Sequence, residues 1–342
     1  MPGPTRPLHL AVALDTAGCQ EADIYVELAR LAERGALDFV TLDDSAAPAG
    51  ETAGRLDALA VLARVAPATE RIGLVPTVSA ERTEPARVAA SLAALDRASR
   101  GRAGWTVDVA APRAANRPAG ARPAAEAALW AEADDAAGAV ARLWDSGEDG
   151  AEVRDTVAGR VVGHDGPRRG DSPSAFRAVR GPSVLPRSPQ GRPVIAVDAT
   201  TGPGRETAAR HADLVLVRAE DPDTARAVGE ELRDRARAHG REPGRPAVFV
   251  SLPVELRTPA DAVGLAHLIG DWYAAGAADG FHLRPADTRR DLGLIVDGTV
   301  PVLQHRSLLR RFYPGSTLRE HLGLGYPAGR CAAVGGAPVA GR

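Results

Sequence analysis

PQGRPVIAVDATTGPGRETAARHADLVLV, residues 189–217, has the pattern of a strand, a loop, a helix and a second strand. Residues 193–197 form a short apolar run rich in β-branched side chains, which is typical of a strand buried on both faces. Residues 205–211 carry helix-forming side chains, and residues 212–217 predict a second buried strand. We expect the two glycines and the proline of residues 199–204 to keep this segment outside both regular elements. Strand, helix and strand in this order predict a parallel sheet covered by helices.

The loop between the first strand and the helix contains Thr200 and Thr201. It leads from the C-terminal end of a parallel strand to a helix start, where hydroxyl groups and free N–H groups can hold a phosphate. An ordinary turn between a strand and a helix has the same composition. These residues alone therefore leave both a phosphate site and a plain turn open.

The same alternation of strands and helices runs through the rest of the chain. Six further strands are predicted at residues 9–14, 37–42, 71–75, 103–109, 247–256 and 278–283. Further helices are predicted at residues 24–34, 56–65, 85–99, 124–144, 224–239, 259–275 and 300–312. This alternation predicts an α/β fold with a single TIM-type (β/α)8 barrel. One domain is expected over residues 1–342, with an irregular excursion at about residues 145–190 and a tail at about residues 325–342.

The composition is that of a globular protein with a sizeable core, since 44% of the 342 residues are hydrophobic and the formal net charge is −2. Neither sign of charge dominates, so neither nucleic acid nor a membrane surface is expected as a partner. All 42 lysine-plus-arginine residues are arginines, which excludes Schiff-base chemistry and a P-loop lysine. Cys19 and Cys331 lie far apart, so we predict no metal site and expect a reducing cytoplasm. No apolar run approaches the roughly 18 residues that span a bilayer.

Seven segments, which include the runs LDDS, PTVS and ARLWDSG, resemble the flavin-dependent luciferase-like monooxygenases, in the branch of the nitrilotriacetate and dibenzothiophene-sulfone monooxygenases. The segments are residues 25–45, 75–105, 141–151, 176–195, 204–215, 272–285 and 299–324. They run in the family's order and cover most of the chain. The resemblance implies a TIM-type barrel that uses reduced FMN as a cosubstrate, receives it from a separate flavin reductase and oxygenates a small organic molecule.

The resemblance also implies residues that contact the flavin. Asp44 in LDDS matches an acidic residue after the second strand, and Thr77 in PTVS matches a threonine near the isoalloxazine ring. Thr200 and Thr201 fall where the family has a serine pair that binds the FMN phosphate. Asp44 could instead cap the next helix, and Thr77 could simply fill the end of a strand.

Other positions depart from the family pattern. Glu126 and Trp130 stand where the family has a histidine and a tyrosine beside the flavin, and a carboxylate at that place would repel a phosphate. Trp130 could still cover a ring, although a tryptophan on a helix face is more often part of the core. Thr106 and His282 replace two asparagines. The substrate loop after the first strand shrinks to residues 15–23, and the long insertion after the seventh strand is missing.

These features leave three hypotheses open. The first is a two-component FMN-dependent monooxygenase that acts on a small organic or natural-product substrate as a homodimer. The second is a degenerate, non-catalytic barrel that serves as a partner or regulatory subunit, because a peroxyflavin exposed to water decays. The third is an oxidoreductase that uses the deazaflavin F420. No catalytic residue is assigned; His211 and His282 are the nearest candidates, and we interpret His211 as a partner of a helix C-terminus.

Overall fold

The computed structural model describes residues 7–15, 21–43, 56–80, 83–109, 126–146, 154–155, 160–161, 187–242 and 244–327. Asp44, Cys19 and Cys331 lie outside the described residues. Most of the excursion predicted at residues 145–190, and most of the tail predicted at residues 325–342, also lies outside them.

Eight parallel strands close into a barrel, which confirms the predicted (β/α)8 fold. The strands of the described residues are β1 (His9–Ala13), β2 (Phe39–Leu42), β3 (Gly73–Ser79), β4 (Gly104–Asp108), β5 (Arg154–Asp155), β6 (Arg160–Val161), β7 (Val194–Asp198), β8 (Leu214–Val217), β9 (Ala247–Val254) and β10 (Gly280–Pro285). β5 and β6 form a separate antiparallel ribbon within the excursion. Around the barrel the order is β1-β10-β9-β8-β7-β4-β3-β2, so successive barrel strands are neighbours in space.

The helices lie outside the barrel and connect its strands. Those of the described residues are α1 (Ala22–Arg34), α2 (Ala58–Val65), α3 (Pro85–Ala98), α4 (Glu126–Asp145), α5 (Gly202–His211), α6 (Pro222–Ala238), α7 (Pro259–Ala274), α8 (Thr288–Leu294), α9 (Val300–His305) and α10 (Leu318–His321). None of these helices is long and apolar enough to cross a bilayer.

Two helices begin earlier than their sequence patterns predict. α5 starts at Gly202, so the expectation that residues 199–204 lie outside both regular elements is wrong for the second half of that segment. Pro203 lies in the first turn, where its missing N–H leaves no helical hydrogen bond unmade. The closing helix starts at Thr288 and continues through a π-helical turn, Ile295–Thr299, into α9. It ends at His305 rather than at residue 312.

The interior of the barrel is apolar in the N-terminal halves of its strands. The large side chains there include Phe39 of β2 and Phe249 of β9, whose ring centroids are 5.4 Å apart. A second apolar layer separates the barrel from its helices, and in it the rings of Trp105 and Trp144 meet edge to face at 6.3 Å. Alternate residues of each strand therefore serve the two layers, as expected of a parallel barrel.

Residues 318–324 close the N-terminal end of the barrel. Their leucines lie in the interior apolar cluster: Leu318, Leu322 and Leu324. Between these leucines, Arg319 forms a buried ion pair with Asp213, the residue just before β8, with Nη1 and Oδ2 3.1 Å apart. The N–H of Leu318 donates to the carbonyl of Gly101, which precedes β4, at 3.0 Å. This segment thus plugs the end of the barrel at which the strands begin.

Candidate active site

The interior of the barrel changes from apolar to polar at its other end, where the strands finish. Residues two apart on a strand face the same side. On three strands a buried apolar residue is therefore followed inward by a buried hydroxyl: Phe39 by Thr41, Val75 by Thr77, and Phe249 by Ser251. Thr106 of β4 and His282 of β10 complete this layer, in which no side chain is more than 8% exposed. We call the layer of Thr41, Thr77, Thr106, Ser251 and His282 the polar floor.

His282 lies between two hydroxyls of the polar floor. Its Nε2 is 2.8 Å from Thr41 Oγ1, and its Nδ1 is 3.1 Å from Ser251 Oγ. Burial lowers the pKa of His282 to about 3, and the charges of Arg284 and Arg218 act in the same direction. The imidazole is therefore neutral at physiological pH, so one of its nitrogens donates a hydrogen bond and the other accepts one. It holds neighbouring strands in register without adding charge.

Two buried hydroxyls at this end make no hydrogen bond within the described part of the chain: Thr106 Oγ1 and Ser79 Oγ. Thr106 lies opposite Thr77 in the β3–β4 register, and Ser79 lies two residues beyond Thr77 toward the opening. Leaving such a group unsatisfied costs about 1–3 kcal/mol. Buried polar groups of this kind are normally satisfied by ordered water or a ligand. Both atoms therefore mark positions where a bound molecule would gain hydrogen bonds.

A cavity of about 560 Å³ opens beside Thr77 and Ser79, between the end of β3 and helices α2 and α3. Its lining mixes apolar side chains such as Leu92 with the charged side chains of Asp57 and Arg87. Its size is in the range that small organic ligands occupy. The residue predicted to lie near a flavin ring, Thr77, thus borders a space that can admit a small molecule.

The loop after β7 is held by the strand beside it. Asp198 Oδ1 accepts a hydrogen bond from the N–H of Thr200 at 3.0 Å, and the Thr200 hydroxyl accepts one from the N–H of Arg218 at 3.1 Å. Arg218, just after β8, also pairs with Asp198, with Nη2 and Oδ2 3.3 Å apart. This pairing was not anticipated from the sequence, although a charged residue follows β8 directly and the last residue of β7 is an aspartate.

The structure brings Thr201 and Glu126 together. Thr201 is the N-cap of α5, and its hydroxyl makes no capping bond to that helix. It donates instead to Glu126 Oε1 at 2.7 Å. Glu126 is exposed and is the first residue of α4, so the starts of α4 and α5 face each other. The predicted opposition between this carboxylate and the threonine loop is therefore a direct hydrogen bond in the described chain.

Trp130 lies in the apolar layer between helices, one turn into α4. It is 5% exposed and packs on Gly204, where an added Cβ would lie only 2.9 Å from the ring atom Cζ2. Its Nε1 makes no hydrogen bond to any residue that the structure describes. The packing agrees with the interpretation of Trp130 as a core residue, while its unpaired N–H remains available at the start of α5.

Neither the short β9–α7 connection nor His211 supplies a group to the polar floor. The connection is only residues 255–258, and Thr258 caps α7 in a reciprocal capping box with Asp261. His211 is the last residue of α5, and its Nε2 is 3.3 Å from Asp134 Oδ1. Among the described residues, no group of three or more His, Cys, Asp or Glu side chains could hold a metal ion.

The hydrogen-bonded set around His282 was not anticipated from the sequence. Thr41 and Ser251 lie 241 and 31 residues from His282 in the chain, so only closure of the barrel brings them together. A signal was nevertheless present, because a large apolar residue is followed two positions later by a hydroxyl residue on β2, β3 and β9. That pattern places a polar layer above an apolar one in a barrel interior.

Comparison with known proteins agrees with the resemblance seen in the sequence. The profile of the family described as "Luciferase-like monooxygenase" matches residues 7–300. The chain is 28% identical to component A of nitrilotriacetate monooxygenase from Aminobacter aminovorans over an alignment of 415 residues, which covers 89% of this chain and 90% of that protein. It is 29% identical to a pristinamycin IIA synthase polypeptide from Streptomyces pristinaespiralis over 332 residues, which covers 96% and 98% of the two chains.

A solved structure, EDTA monooxygenase from a Chelativorans species, shares the fold with a TM-score of 0.81 at 22% identity, covering 95% of this chain and 100% of that one. The alignment with nitrilotriacetate monooxygenase is longer than this chain's 342 residues, so that relative carries segments which this chain lacks. The 332-residue alignment with the pristinamycin IIA synthase polypeptide is shorter than this chain and needs no such insertion of comparable size.

Proposed function

Because the chain belongs to the luciferase-like monooxygenase family, we propose that it works in a two-component, flavin-dependent monooxygenase that oxygenates a small organic or natural-product substrate. A separate flavin reductase supplies the reduced flavin. The observation that supports a ligand site in this chain is the open end of the barrel, where buried hydroxyls at Thr106 and Ser79 lack partners among the described residues beside a cavity. The relatives supply the reaction class.

The residues at the open end fit the two parts of FMN unequally. Thr77, Thr106 and Ser79 offer hydroxyls beside a cavity, which suits the polar edge of a flavin ring. Glu126 at the start of α5 does not suit a phosphate, since it is itself an anion hydrogen-bonded to Thr201. We therefore propose a flavin site that holds the ring through these hydroxyls. Asp44 remains a proposed ring contact outside the described residues.

The protein's own contribution to the reaction is binding, orientation and exclusion of water. When bound, a reduced flavin supplies the reaction with dioxygen, which needs no protein nucleophile. The neutral His282, fixed by Thr41 and Ser251, keeps the polar floor rigid and adds no proton donor of suitable pKa near neutral pH. We assign no catalytic residue.

Exclusion of water is the step for which the described residues provide least. The β9–α7 connection of residues 255–258 is too short to fold over the opening. A site that stabilises a reactive oxygen adduct must be dry. We propose that a second copy of the chain or the bound substrate covers the opening, and we expect a homodimer, which analytical ultracentrifugation of the purified chain would show as a species of twice the chain mass.

A second candidate function is that of a partner barrel that supports a catalytic barrel without holding flavin. Two observations favour it: Glu126 at the predicted phosphate position, and an extent that matches the pristinamycin IIA synthase polypeptide without large insertions. In this case the chain stabilises or covers another polypeptide, and its own open end binds no flavin.

An anaerobic titration distinguishes the two candidates. The purified chain is titrated with reduced riboflavin, reduced FMN and F420, and binding is followed by the absorbance and fluorescence of each cofactor. Saturable binding of a reduced flavin supports the monooxygenase proposal. Absence of flavin binding at hundreds of micromolar contradicts a flavin site in this chain and favours the partner barrel, whereas binding of F420 alone favours the third hypothesis.

A further inference from the structure

The start of α5 is a place where an anion would be stabilised, and an anion of the chain already lies there. The first turn of a helix exposes backbone N–H groups and carries a partial positive charge. Thr201 caps α5 without a capping bond of its own and donates its hydroxyl to Glu126 Oε1 at 2.7 Å. The carboxylate thereby takes the hydrogen bond that a phosphate oxygen would otherwise receive.

The charges around this point leave little attraction for a second anion. Arg218 pairs with Asp198 at 3.3 Å, and Arg205 pairs with Glu231 at 2.6 Å, so both nearby arginines are already neutralised. Glu126 then adds a further negative charge. Pro203 in the first turn of α5 also removes one N–H that could bind an oxyanion. A phosphate dianion placed at Thr201 would face repulsion from Glu126 at short range.

The indole of Trp130 shows that the same place retains an unused donor. Trp130 is 5% exposed, and its Nε1 has no partner among the residues that the structure describes. Atom Cε2, to which Nε1 is bonded, would lie 3.2 Å from a Cβ added to Gly204, so this edge of the ring borders the first turn of α5. A buried N–H without a partner is normally satisfied by an acceptor. A donor for an oxyanion is therefore built into the site, and Glu126 is the group that closes it.

We propose that Glu126 is a selectivity residue that excludes phosphate from the start of α5, so that this chain binds a phosphate-free flavin more tightly than FMN. The inference deepens the proposed flavin site and rests on it for the identity of the ligand. The exclusion of phosphate itself depends only on Glu126, Thr201 and the start of α5. Removal of the negative charge opens the place to phosphate, with Thr201 and Trp130 as donors.

The test compares the wild-type chain with Glu126→Gln and Glu126→His. The matched control is Glu132→Gln, which removes a negative charge six residues later on the same helix. Binding of riboflavin and of FMN is measured for each protein at constant ionic strength. We expect the wild type to prefer riboflavin, and we expect both Glu126 variants to bind FMN roughly ten-fold or more tightly than the wild type, with riboflavin unchanged.

A second readout does not depend on flavin. Thermal unfolding is followed with inorganic phosphate and with chloride at matched ionic strength. Phosphate should raise the melting temperature of Glu126→Gln and leave that of the wild type and of Glu132→Gln unchanged, since only a ligand that binds the folded state stabilises it. Equal responses of all proteins to phosphate, or tighter binding of FMN than of riboflavin by the wild type, would overturn the inference.

The two readouts separate this inference from the proposed function. If phosphate stabilises Glu126→Gln alone but no protein binds any flavin, the exclusion by Glu126 is supported and the flavin site is contradicted. If flavins bind but Glu126→Gln changes neither the FMN affinity nor the phosphate response, the flavin site stands and the selectivity inference is wrong.

Discussion

The two ends of the barrel satisfy their buried polar groups in opposite ways. At the closed end, Asp38 is paired with Arg310 at 2.7 Å and with His9 at 2.9 Å. Burial opposes the ionisation of Asp38, but the charges of His9 and Arg310 outweigh it and lower its pKa to about 2. At the open end, Thr106 Oγ1 and Ser79 Oγ have no partner within the described ranges. One end therefore completes its interactions within the chain, and the other does not.

This difference separates stability from binding along one set of strands. The residues at the N-terminal ends of barrel strands commonly serve stability, and those at the C-terminal ends serve function. Here the distinction is visible within single strands, since β2 carries Phe39 in the apolar interior and Thr41 in the polar floor. Substitutions at the closed end should therefore change the free energy of unfolding, whereas substitutions at the open end should mainly change ligand binding.

The largest effect is expected at the plug of the closed end, on replacing Arg319 by Met. Asp213 would then be buried without the partner that lies 3.1 Å away, and breaking a buried pair in this way costs about 3–5 kcal/mol. The measurement is the free energy of unfolding in urea at neutral pH. The control is Arg34→Met, which breaks an ion pair with Asp297 whose side chains are 62% and 69% exposed, and it should cost less than about 1 kcal/mol.

A result in which Arg319→Met destabilises the protein no more than Arg34→Met would contradict the assignment of the plug as a stabilising element. It would also mean that Asp213 finds other compensation. The charges of Arg319 and Arg192 together outweigh the effect of burial and lower the pKa of Asp213, so Arg192 is the group to examine next.

A smaller, pH-dependent effect is expected from His282 at the open end. Its pKa is lowered to about 3 in the folded chain, so its neutral form stabilises the fold at and above the unfolded-state pKa. This stability is lost as pH falls below about 6.5, and between pH 7 and about pH 5 the loss is on the order of 2 kcal/mol. Urea unfolding at these two pH values measures it, and His282→Asn should lack this part of the pH dependence.

The comparison between wild type and His282→Asn is needed because other buried groups titrate in the same range. Burial lowers the pKa of His321 at the closed end to about 4, and burial raises the pKa of Asp96 to about 6. Both groups are present in the two proteins, so their contributions cancel in the difference. Identical pH dependence in the two proteins would show that His282 is not held neutral by the fold.

The smallest change in stability is expected for Thr106→Val. The hydroxyl has no partner in the described chain, so its loss should alter the free energy of unfolding by less than about 1 kcal/mol. Riboflavin binding should nevertheless weaken. The matched variant at the closed end is Thr69→Val, whose hydroxyl accepts from Arg102 Nη1 at 3.0 Å. That loss should cost about 1–2 kcal/mol and leave riboflavin binding unchanged; the reverse pattern would refute the separation of the two ends.

The fold was predictable because its signal is local and repeated. Each barrel strand is a short apolar run followed by a helical pattern, and this alternation needs no long-range information. The errors lie at helix starts, where Pro203 was interpreted as a break although it occupies the first turn of α5. The unpredicted start of the closing helix at Thr288 depends on a cap by Asp287, whose side chain accepts from the N–H of Arg290.

The candidate site was predictable only in part. Thr77, Thr200 and Thr201 could be located, because strand ends of a parallel barrel meet at one opening. The partners of these residues could not be inferred, since Asp198–Arg218 and Thr41–His282 form only when the barrel closes. The conflict at Glu126 followed from the resemblance alone, and its form as a hydrogen bond to Thr201 depends on how α4 packs beside α5.

The plug also determines when the barrel can be finished during synthesis. Its leucines fill an interior that Phe39 and Phe249 have enclosed from earlier parts of the chain. The ribosome delivers residues 318–324 after all eight barrel strands, so a nascent chain that stops before them leaves this apolar interior open to water and to other chains. The last event in making this protein is therefore the insertion of a stopper, and the newly made chain needs protection from aggregation until that moment.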